Sequence, residues 1–191
     1  MTVAVLALQG AFIEHETMLH KLGVDTIELR KKEDLKQHFD GLVLPGGEST
    51  VQGKLLKELD IFDELQRRIR EGLPVFATCA GLILLAETLS NDEKSYFRTL
   101  PVTVKRNAYG RQLGSFHYDG EVTSVGTVPM EFIRAPYIES CRDDVKVLAT
   151  VEGNIVAVQY QSQLAMAFHP ELGEDTKMHR YFIDMIQNNK Q

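Results

Sequence analysis

The chain has 191 residues, of which 43% are hydrophobic and 25% charged, and its net charge is -6. This composition is typical of a folded globular protein, and the acidic balance without long Lys or Arg runs excludes a surface that binds nucleic acid. The length predicts a single domain spanning residues 1–191.

The first apolar run, from Val3 to Leu8, is far shorter than the roughly 20 residues that cross a bilayer. It has neither a basic leader nor a processing site, so we interpret it as a buried strand. We therefore expect a cytoplasmic protein that has no membrane partner. The two cysteines, Cys79 and Cys141, lie far apart in unlike settings, which predicts neither a disulfide nor a metal site.

The first half of the chain alternates apolar runs with amphipathic runs, as in a mostly parallel sheet covered by helices. After the first strand, helical spacing begins near Phe12 and ends at Gly23, a residue suited to the left-handed position after a helix. The further predicted elements are a strand at 26–29, a strand at 42–44, a helix around Leu55 to Leu59, a helix capped by Asp60 and ending at Gly72, and a strand at 74–77.

Beyond about residue 95, strand patterns follow one another with little helix between them, which indicates antiparallel pairing. The predicted strands lie at 102–104, 121–125, 145–151, 155–160 and 163–168, and a final amphipathic helix carries Met178, Phe182, Met185 and Ile186. Together the patterns predict an α/β fold with a mostly parallel central sheet, helices on both faces and an antiparallel extension.

Cys79 follows the strand at 74–77 and precedes a helical run from Leu82 to Ala86, with small residues on both sides. A tight strand-to-helix turn of this kind exposes the central side chain, as in a nucleophile elbow. A helix that begins there can lower a thiol pKa from about 8.5 to roughly 3.5–7.5. The alternative is a buried small apolar residue after a core strand, and the flanking turn favours the nucleophile. Cys141 lies in a polar stretch and is assigned no chemistry.

The segment Phe168-His169-Pro170-Glu171 provides a base and a carboxylate that can orient it. In an extended segment, residues two apart point the same way, so His169 and Glu171 are expected to share one face. Taken alone, this segment is typical of a solvated strand end. We interpret it as catalytic because it occurs together with the elbow at Cys79. The other histidines are His15, His20, His38, His117 and His179. Solvent exposure is expected for most of them, although His15 and His117 could approach a pocket.

The loop from Pro45 to Thr50 follows a strand at the same edge of the sheet, where open parallel sheets gather ligand sites. Gly46 and Gly47 allow backbone N–H groups to face an oxyanion, an effect of roughly 3–4 kcal/mol per donor. Glu48 could pair with a substrate ammonium. Phosphate binding and a simple tight turn are the alternatives, but the loop lacks the Lys of a P-loop. Together with the elbow, the loop favours acyl transfer.

Seven segments carry a resemblance that runs nearly end to end: Leu8-Gln9-Gly10 with Glu14-His15, Leu44 to Thr50, Thr78 to Leu82, Arg106-Asn107, Gly110-Arg111-Gln112, Phe132 to Pro136, and Phe168 to Leu172. They resemble the motifs of the class I, or triad, glutamine amidotransferases, which have a flavodoxin-like fold. Within that family they are most similar to the glutaminase subunits of pyridoxal 5′-phosphate synthase.

The resemblance implies that Cys79 is the nucleophile, His169 the base and acid, and Glu171 its orienting partner. It also implies a pocket for L-glutamine, with Gly46 and Gly47 near the oxyanion. The implied pocket residues are Glu48, Ser49, Thr50, Arg106, Ile133 and Arg134. The arginines suit this role because a guanidinium grips a carboxylate through two parallel hydrogen bonds.

The implied reaction is hydrolysis of glutamine to glutamate and ammonia, with no cofactor and no metal on this chain. The implied partner is the synthase subunit with a (β/α)₈-barrel fold, which receives the ammonia and makes pyridoxal 5′-phosphate. The resemblance further implies that the glutaminase is weakly active in isolation and that docking completes the oxyanion hole.

Two departures from the family pattern stand out in the sequence. Ala77 occupies a position that is usually glycine, and we expect the elbow to survive because alanine is small. The segment 49–54 lacks a basic pair that the family usually has there. Three alternatives stay open: a glutaminase for nucleotide or histidine biosynthesis, a cysteine peptidase of similar architecture, and a non-catalytic flavodoxin-like module in which Cys79 is core and the glycine loop holds a ligand.

Overall fold

A computed structural model of the chain describes residues 1–109 and 114–189. The predicted motif Gly110-Arg111-Gln112 lies outside these described residues. Within the described ranges, no helix combines the length and the apolar character needed to cross a bilayer.

The strands are β1 (Thr2–Leu6), β2 (Asp25–Leu29), β3 (Gly41–Leu44), β4 (Val75–Thr78), β5 (Ala86–Leu89), β6 (Leu100–Lys105), β7 (Ser115–Val122), β8 (Gly126–Ile133), β9 (Tyr137–Cys141), β10 (Lys146–Val151), β11 (Asn154–Tyr160) and β12 (Gln163–Met166). The α-helices are α1 (Phe12–Lys21), α2 (Ser49–Glu58), α3 (Phe62–Arg70), α4 (Ala80–Leu85) and α5 (Lys177–Asn188). Short 3₁₀ helices occur at Lys32–Lys36 and Pro170–Leu172.

Most of the described strands form one sheet in the order β2-β1-β3-β4-β12-β11-β9-β6-β5, with β10 paired to β11. Strands β2, β1, β3, β4 and β12 are parallel to one another. Strand β11 then runs antiparallel to β12, and β7 pairs with β8 in a separate hairpin. The predicted α/β class, with a mostly parallel sheet and an antiparallel extension, is confirmed.

The strand order places four loops at one edge of the sheet. Strand β1 has β2 on one side and β3 on the other, so the direction in which strands are added reverses at β1. Ligand sites of open α/β sheets lie at such a reversal, beyond the carboxyl ends of the strands. The loops that follow β1, β3, β4 and β12 at this edge carry Gln9, Gly46, Cys79 and His169.

Helices α1 and α5 pack together over the face of β4 that carries Phe76. The fully buried ring of Phe76 lies 5.4 Å from that of Phe182 on α5, and His15 on α1 meets it edge-on at 5.5 Å. Aromatic side chains in this arrangement combine a large buried area with favourable ring contacts. This face therefore ties the first and last helices to the strand that leads into Cys79.

One strand prediction fails at a hairpin. The strand predicted at 121–125 straddles the end of β7 and a turn at 123–125, where Ser124 has a φ of 67°. Val122 and Val125 both contact the apolar core, and this gave the turn the apolar pattern of a strand. The true pairing joins β7 to β8 over eight residues each.

Three smaller differences concern two element ends and one missed strand. Helix α4 is six residues long, and Ala86, predicted to be helical, begins β5. Strand β9 was not predicted, because it carries the polar residues Glu139 and Ser140. Asp60 does not cap α3: it has a φ of 56°, and Ile61 occupies the N-cap position.

We expect Gly81→Ala to destabilise the protein. A Cβ atom at Gly81 would lie 2.1 Å from the carbonyl oxygen of Leu44, because α4 crosses closely over β3. Alanine normally stabilises a helix by about 1 kcal/mol relative to glycine. Overpacking against backbone reverses the sign here and should lower the free energy of unfolding by about 2 kcal/mol.

Denaturant unfolding of Gly81→Ala would measure this loss, with Gly173→Ala as the matched control. The nearest atom to a Cβ at Gly173 is the backbone nitrogen of Asp175 at 4.0 Å, so the control should unfold like the unaltered chain. Equal midpoints for both variants would contradict the close approach of α4 to β3.

Candidate active site

Cys79 occupies the sharp turn between β4 and α4. Its φ of 46° and ψ of -98° lie in a region that residues other than glycine rarely adopt. The turn is held by the Cys79 N–H, which donates to the carbonyl of Met166 at 2.8 Å. The predicted strand–turn–helix elbow is observed, and Ala77 fits within buried β4.

His169 and Glu171 are joined in a buried pair just beyond β12. The Nδ1 atom of His169 lies 2.7 Å from Oε1 of Glu171, and the two residues are 7% and 4% exposed. The prediction that this segment is extended was wrong, because Pro170–Leu172 forms a 3₁₀ helix. Proline has a fixed φ that suits the first position of a helical turn, and this turn brings the carboxylate back to the imidazole.

The surroundings of His169 favour the charged imidazolium. Burial opposes its charge, but hydrogen bonds and charge interactions with Cys79 and Glu171 outweigh burial and raise the pKa of His169 to about 10. Because Glu171 engages Nδ1, Nε2 is the ring atom left for the thiol. A cysteine and a histidine placed in this way form the pair that nucleophilic catalysis by a thiol requires.

The β7–β8 hairpin supports the segment that carries His169. The His169 N–H donates to the carbonyl of Glu131 at 2.8 Å. Phe132 lies 5.8 Å from Phe168, ring centre to ring centre, and stacks on Phe116 at 4.5 Å. These contacts fix the end of β8 next to the His–Glu pair.

A pocket of about 190 Å³ opens beside the thiol. It is lined by Gln9, Gly47, Glu48, Ser49, Cys79, Ile83, Arg106, Asn107, Ile133, Arg134 and His169. Most of the residues predicted for the site are among them. The exceptions are Gly46, Thr50 and Glu171, which lie next to lining residues. Charges of both signs in one small pocket suit a ligand that carries both an ammonium and a carboxylate.

Three lining residues were not predicted: Gln9, Ile83 and Asn107. Gln9 and Asn107 lie within segments that carry the resemblance, so position in a motif was the available signal. Ile83 lies four residues after Cys79, and residues with this spacing share one face of a helix. Gln9 also holds the glycine loop, since its Oε1 accepts the N–H of Glu48 at 2.7 Å.

Gly46 packs closely against the ring of His169. A Cβ atom at Gly46 would lie 2.3 Å from Cε1 of His169, so only glycine fits there. The Gly46 N–H donates to Oγ1 of Thr78 at 3.0 Å, and its carbonyl accepts the N–H of Ala11 at 3.0 Å. The Gly46 N–H is therefore engaged, whereas Gly47 lines the pocket.

The two arginines of the pocket each have an acidic neighbour. Nη1 of Arg106 lies 2.6 Å from Asp92, and its Nη2 donates to Thr50 at 3.3 Å. Nη2 of Arg134 lies 4.0 Å from Oε1 of Glu48. Arg106 is thus oriented by Asp92, while Arg134 and Glu48 form a loose, exposed pair at the mouth of the pocket.

The expectation of exposure was wrong for His15 and His179, which are both 0% exposed. His15 lies three and four residues before Met18 and Leu19, which are also buried, so helical spacing places it on the inner face of α1. Burial, followed by the charges of His179 and His169, lowers the pKa of His15. Burial alone lowers the pKa of His179 to about 3.

These depressed pKa values predict that the protein loses stability as the pH falls below 6.5. A histidine kept neutral in the folded state binds fewer protons than in the unfolded chain, and this costs up to about 1.4 kcal/mol per pH unit. His169, whose folded pKa is raised, contributes its full stabilisation below pH 6.5 and so adds no slope there. Urea unfolding between pH 7 and pH 5 should therefore show a falling midpoint.

The variant His179→Gln should flatten this pH dependence, because glutamine does not titrate. His20→Gln is the matched control, since His20 is exposed at the end of α1. The slope of the free energy of unfolding against pH is the quantity compared, so a general loss of stability does not affect the result. An unchanged slope in His179→Gln would contradict a neutral, buried His179.

The α/β sheet carries a cysteine in a strand-to-helix elbow, next to a buried His–Glu pair. The motifs resemble those of the triad amidotransferases, which have this arrangement. The model of the SNO glutamine amidotransferase family matches residues 5–188. The chain belongs to the SNO glutamine amidotransferase family, and the resemblance predicted from the motifs is confirmed.

The chain is similar over its whole length to curated members of this class. It is 60% identical over 190 residues to the pyridoxal 5′-phosphate synthase subunit PdxT of Desulfitobacterium hafniense (strain DSM 10664 / DCB-2), covering 100% of the chain and 96% of the relative. It is 50% identical over 190 residues to the PdxT subunit of Haemophilus influenzae (strain PittEE), covering 98% of the chain and 99% of the relative.

Solved structures share the fold. A crystal structure of a glutamine amidotransferase superposes with a TM-score of 0.92 at 45% identity, covering 97% of this chain and 98% of the other. A glutamine amidotransferase from Thermotoga maritima has a TM-score of 0.60 at 17% identity, covering 99% of this chain and 84% of the other. At that identity the second match bears on the fold alone.

Proposed function

We propose that this chain is the glutaminase subunit of a pyridoxal 5′-phosphate synthase, with Cys79, His169 and Glu171 as its catalytic triad. The single observation that carries the proposal is the elbow cysteine facing the buried His169–Glu171 pair, joined at 2.7 Å, in a pocket with charges of both signs. The names of the full-length relatives supply the biosynthesis that the glutaminase serves.

In the first half-reaction, the thiolate of Cys79 attacks the side-chain carboxamide carbon of L-glutamine, and the C=O electron pair moves onto oxygen. The tetrahedral intermediate then collapses, the C–N bond breaks, and His169 gives its proton to the departing nitrogen. Ammonia leaves, and a glutamyl thioester stays on Cys79. The carboxylate of Glu171 holds the Nδ1 proton of His169 and stabilises its positive charge.

In the second half-reaction, His169 is neutral and takes a proton from a water molecule that attacks the thioester. The second tetrahedral intermediate expels the thiolate, and L-glutamate is released. Gly47 in the pocket wall and the N–H of Ala80, at the start of α4, are the donors we assign to the oxyanion. The first N–H groups of a helix have no partner within it, and the one that follows a nucleophile commonly serves this role.

Substrate binding would use the charged residues at the mouth of the pocket. We assign the α-ammonium of glutamine to Glu48 and its α-carboxylate to Arg134 and Arg106, with Ser49, Thr50 and Ile133 completing the site. Arg106 can keep its orienting contact to Asp92 and still bind the substrate carboxylate, because a guanidinium has five N–H donors. The 4.0 Å pair between Arg134 and Glu48 is loose enough for glutamine to enter between the two charges.

The partner we propose is a (β/α)₈-barrel synthase subunit that receives the ammonia. Exposed apolar side chains near site residues provide a docking rim: Val51 after Thr50, Ile133 in the pocket wall, and Leu172 after Glu171 are 43%, 40% and 44% exposed. Exposed apolar groups beside a site commonly mark protein contacts.

We further propose that residues 1–191 act as one glutaminase domain, because the buried core is continuous from Val3 to Ile186. A cytoplasmic location is also part of the proposal, since Cys79 and Cys141 are both free thiols, as the reducing cytoplasm keeps them.

Ammonia release from L-glutamine, measured with and without the matching synthase subunit, tests the function. We expect fast release only in the complex, and no cleavage of peptides. Equal rates with and without the partner would remove the partner-dependent part of the proposal. Peptide cleavage in place of glutamine hydrolysis would replace the glutaminase by a peptidase, and stimulation only by a different synthase would reassign the biosynthesis.

A further inference from the structure

Two buried histidines that take no part in the proposed chemistry stand directly behind the triad. Nδ1 of His15 lies 2.9 Å from Nε2 of His179. Nε2 of His15 lies 3.1 Å from Oγ1 of Thr78 and 3.6 Å from Oε2 of Glu171. Glu171 therefore stands between two imidazoles, with His169 on its Oε1 side and His15 on its Oε2 side.

The direction of hydrogen bonding in this group follows from its unpaired atoms. Nδ1 of His179 is buried and has no hydrogen-bond partner among the described residues. A neutral imidazole has one donor and one acceptor nitrogen. A proton on Nδ1 of His179 would be a buried donor without a partner, whereas a proton on Nε2 has Nδ1 of His15 as its acceptor, so the second tautomer costs less. The proton of His179 thus belongs on Nε2, which donates to Nδ1 of His15.

His15 must then carry its own proton on Nε2, where the nearest acceptors are Thr78 and Glu171. The opposite tautomer would point a lone pair at the buried carboxylate, whose Oε2 has no hydrogen-bond partner in the described chain and lies 3.6 Å from Nε2 of His15. Oγ1 of Thr78 can accept this proton and the N–H of Gly46 together, because a hydroxyl oxygen has two lone pairs.

We propose that His15 is a positioning residue for glutamine hydrolysis, whose Nε2–H donates to the hydroxyl of Thr78 and, 3.6 Å from Oε2, holds the carboxylate of Glu171 by the attraction between the N–H dipole and the negative charge. Through Glu171 it sets the orientation of His169, and through Thr78 and the Gly46 N–H it sets the glycine loop. One side chain thereby aligns the acid–base pair with the loop opposite it. This inference rests on the proposed glutaminase function and adds to it a residue outside the pocket wall.

The variants His15→Gln and His15→Asn test whether the reaction needs the hydrogen-bond donor at Nε2 or only a side chain that fills the space of His15. The side-chain nitrogen of glutamine lies as many bonds from Cα as Nε2 of histidine, whereas that of asparagine corresponds to Nδ1. We expect His15→Asn to lower kcat for glutamine in the complex about 10- to 100-fold with KM within about threefold, as for other supporting contacts. His15→Gln should keep kcat within about threefold of the unaltered complex.

His20→Asn, on the same helix, controls for loss of a histidine, and synthase is added to saturation for every variant. Equal kcat values for His15→Asn and His15→Gln, whether both normal or both low, would overturn the proposal, as would a change confined to KM. If His15→Asn does not fold, Thr78→Val and Thr78→Ser test the same contact from the other side: only Thr78→Val should lose kcat, and equal values would overturn it.

These outcomes are distinguishable from failure of the proposed function. If the unaltered complex releases no ammonia, the glutaminase assignment fails, and the positioning role of His15 in that reaction is overturned with it. If the unaltered complex is active and His15→Asn matches it, the glutaminase assignment stands and only the positioning role of His15 is lost.

Discussion

Replacing Cys79 with alanine should abolish ammonia release by the complex, with kcat falling at least about 10⁴-fold. The proposed reaction stores the glutamyl group on sulfur between its two halves, so no other residue can substitute for the thiol. Losses of this size follow removal of the nucleophile from other enzymes that use a catalytic triad. The measurement is ammonia release at saturating glutamine and saturating synthase subunit.

Cys141→Ala is the matched control, because it removes the other thiol of the chain. Cys141 ends β9 and is half-buried, away from the residues that line the pocket, so this variant should be as active as the unaltered chain. A glutamine-mimicking electrophile should label the unaltered chain and Cys141→Ala but leave Cys79→Ala unlabelled. Ammonia release by Cys79→Ala within tenfold of normal would favour the binding-module alternative.

The elbow could be predicted from the sequence because its signals are local. An apolar strand ends at Thr78, small residues flank Cys79, and a helical pattern begins at once, so strand, turn and helix are all specified within a few residues. The same holds for β1 and for α5, whose apolar residues repeat with clear strand and helix spacing. Local periodicity was therefore enough for the elements that build the centre of the sheet.

Contacts between distant segments were not predictable from the residues alone. Arg106 follows β6 and pairs with Asp92, which follows the neighbouring strand β5, and Gln9 accepts the N–H of Glu48 in a loop from another strand. Neither partner is marked by periodicity, because both contacts depend on the order of strands in the sheet. The resemblance supplied Arg106 and Glu48 as site residues, but it did not supply the neighbours that hold them.

The buried histidines show where local pattern and residue type disagree. His15 has the spacing of a buried position on α1, yet a histidine is usually exposed or half-exposed, and exposure was the prediction. Burial is possible here because both ring nitrogens have partners, on Thr78 and on His179. Those partners come from a strand and a helix far along the chain, so the sequence of α1 could not reveal them.

Glu171→Gln should lower kcat about 10³- to 10⁴-fold while leaving the fold intact, the size of loss seen when a triad acid is replaced by its amide. The carboxylate accepts the Nδ1 proton of His169 at 2.7 Å and opposes its positive charge. An amide cannot supply the charge, so the pKa of His169 should fall from its raised value of about 10. The charged imidazolium beside Cys79 would then be less favoured.

Alkylation of Cys79 as a function of pH measures this effect separately from turnover. In the unaltered chain the charged His169 lies beside the sulfur, so alkylation should be fast at neutral pH. In Glu171→Gln, the same rate should require more alkaline solution. Glu174→Gln is the matched control, because Glu174 is 92% exposed in its side chain and pairs only with Lys21 among the described contacts. A normal kcat for Glu171→Gln would remove Glu171 from the triad.

The size of the Glu171→Gln effect also follows from the two imidazoles that flank this side chain. His169 donates from Nδ1 to Oε1 of Glu171, and the Nε2–H of His15, which donates to Thr78, faces Oε2 at 3.6 Å. An amide has only one acceptor, so either orientation turns its NH₂ group towards an N–H donor. With its NH₂ group towards His169, the glutamine side chain leaves the Nδ1–H without an acceptor; with that group towards His15, it faces the Nε2–H in place of a carboxylate oxygen, so neither orientation restores both contacts.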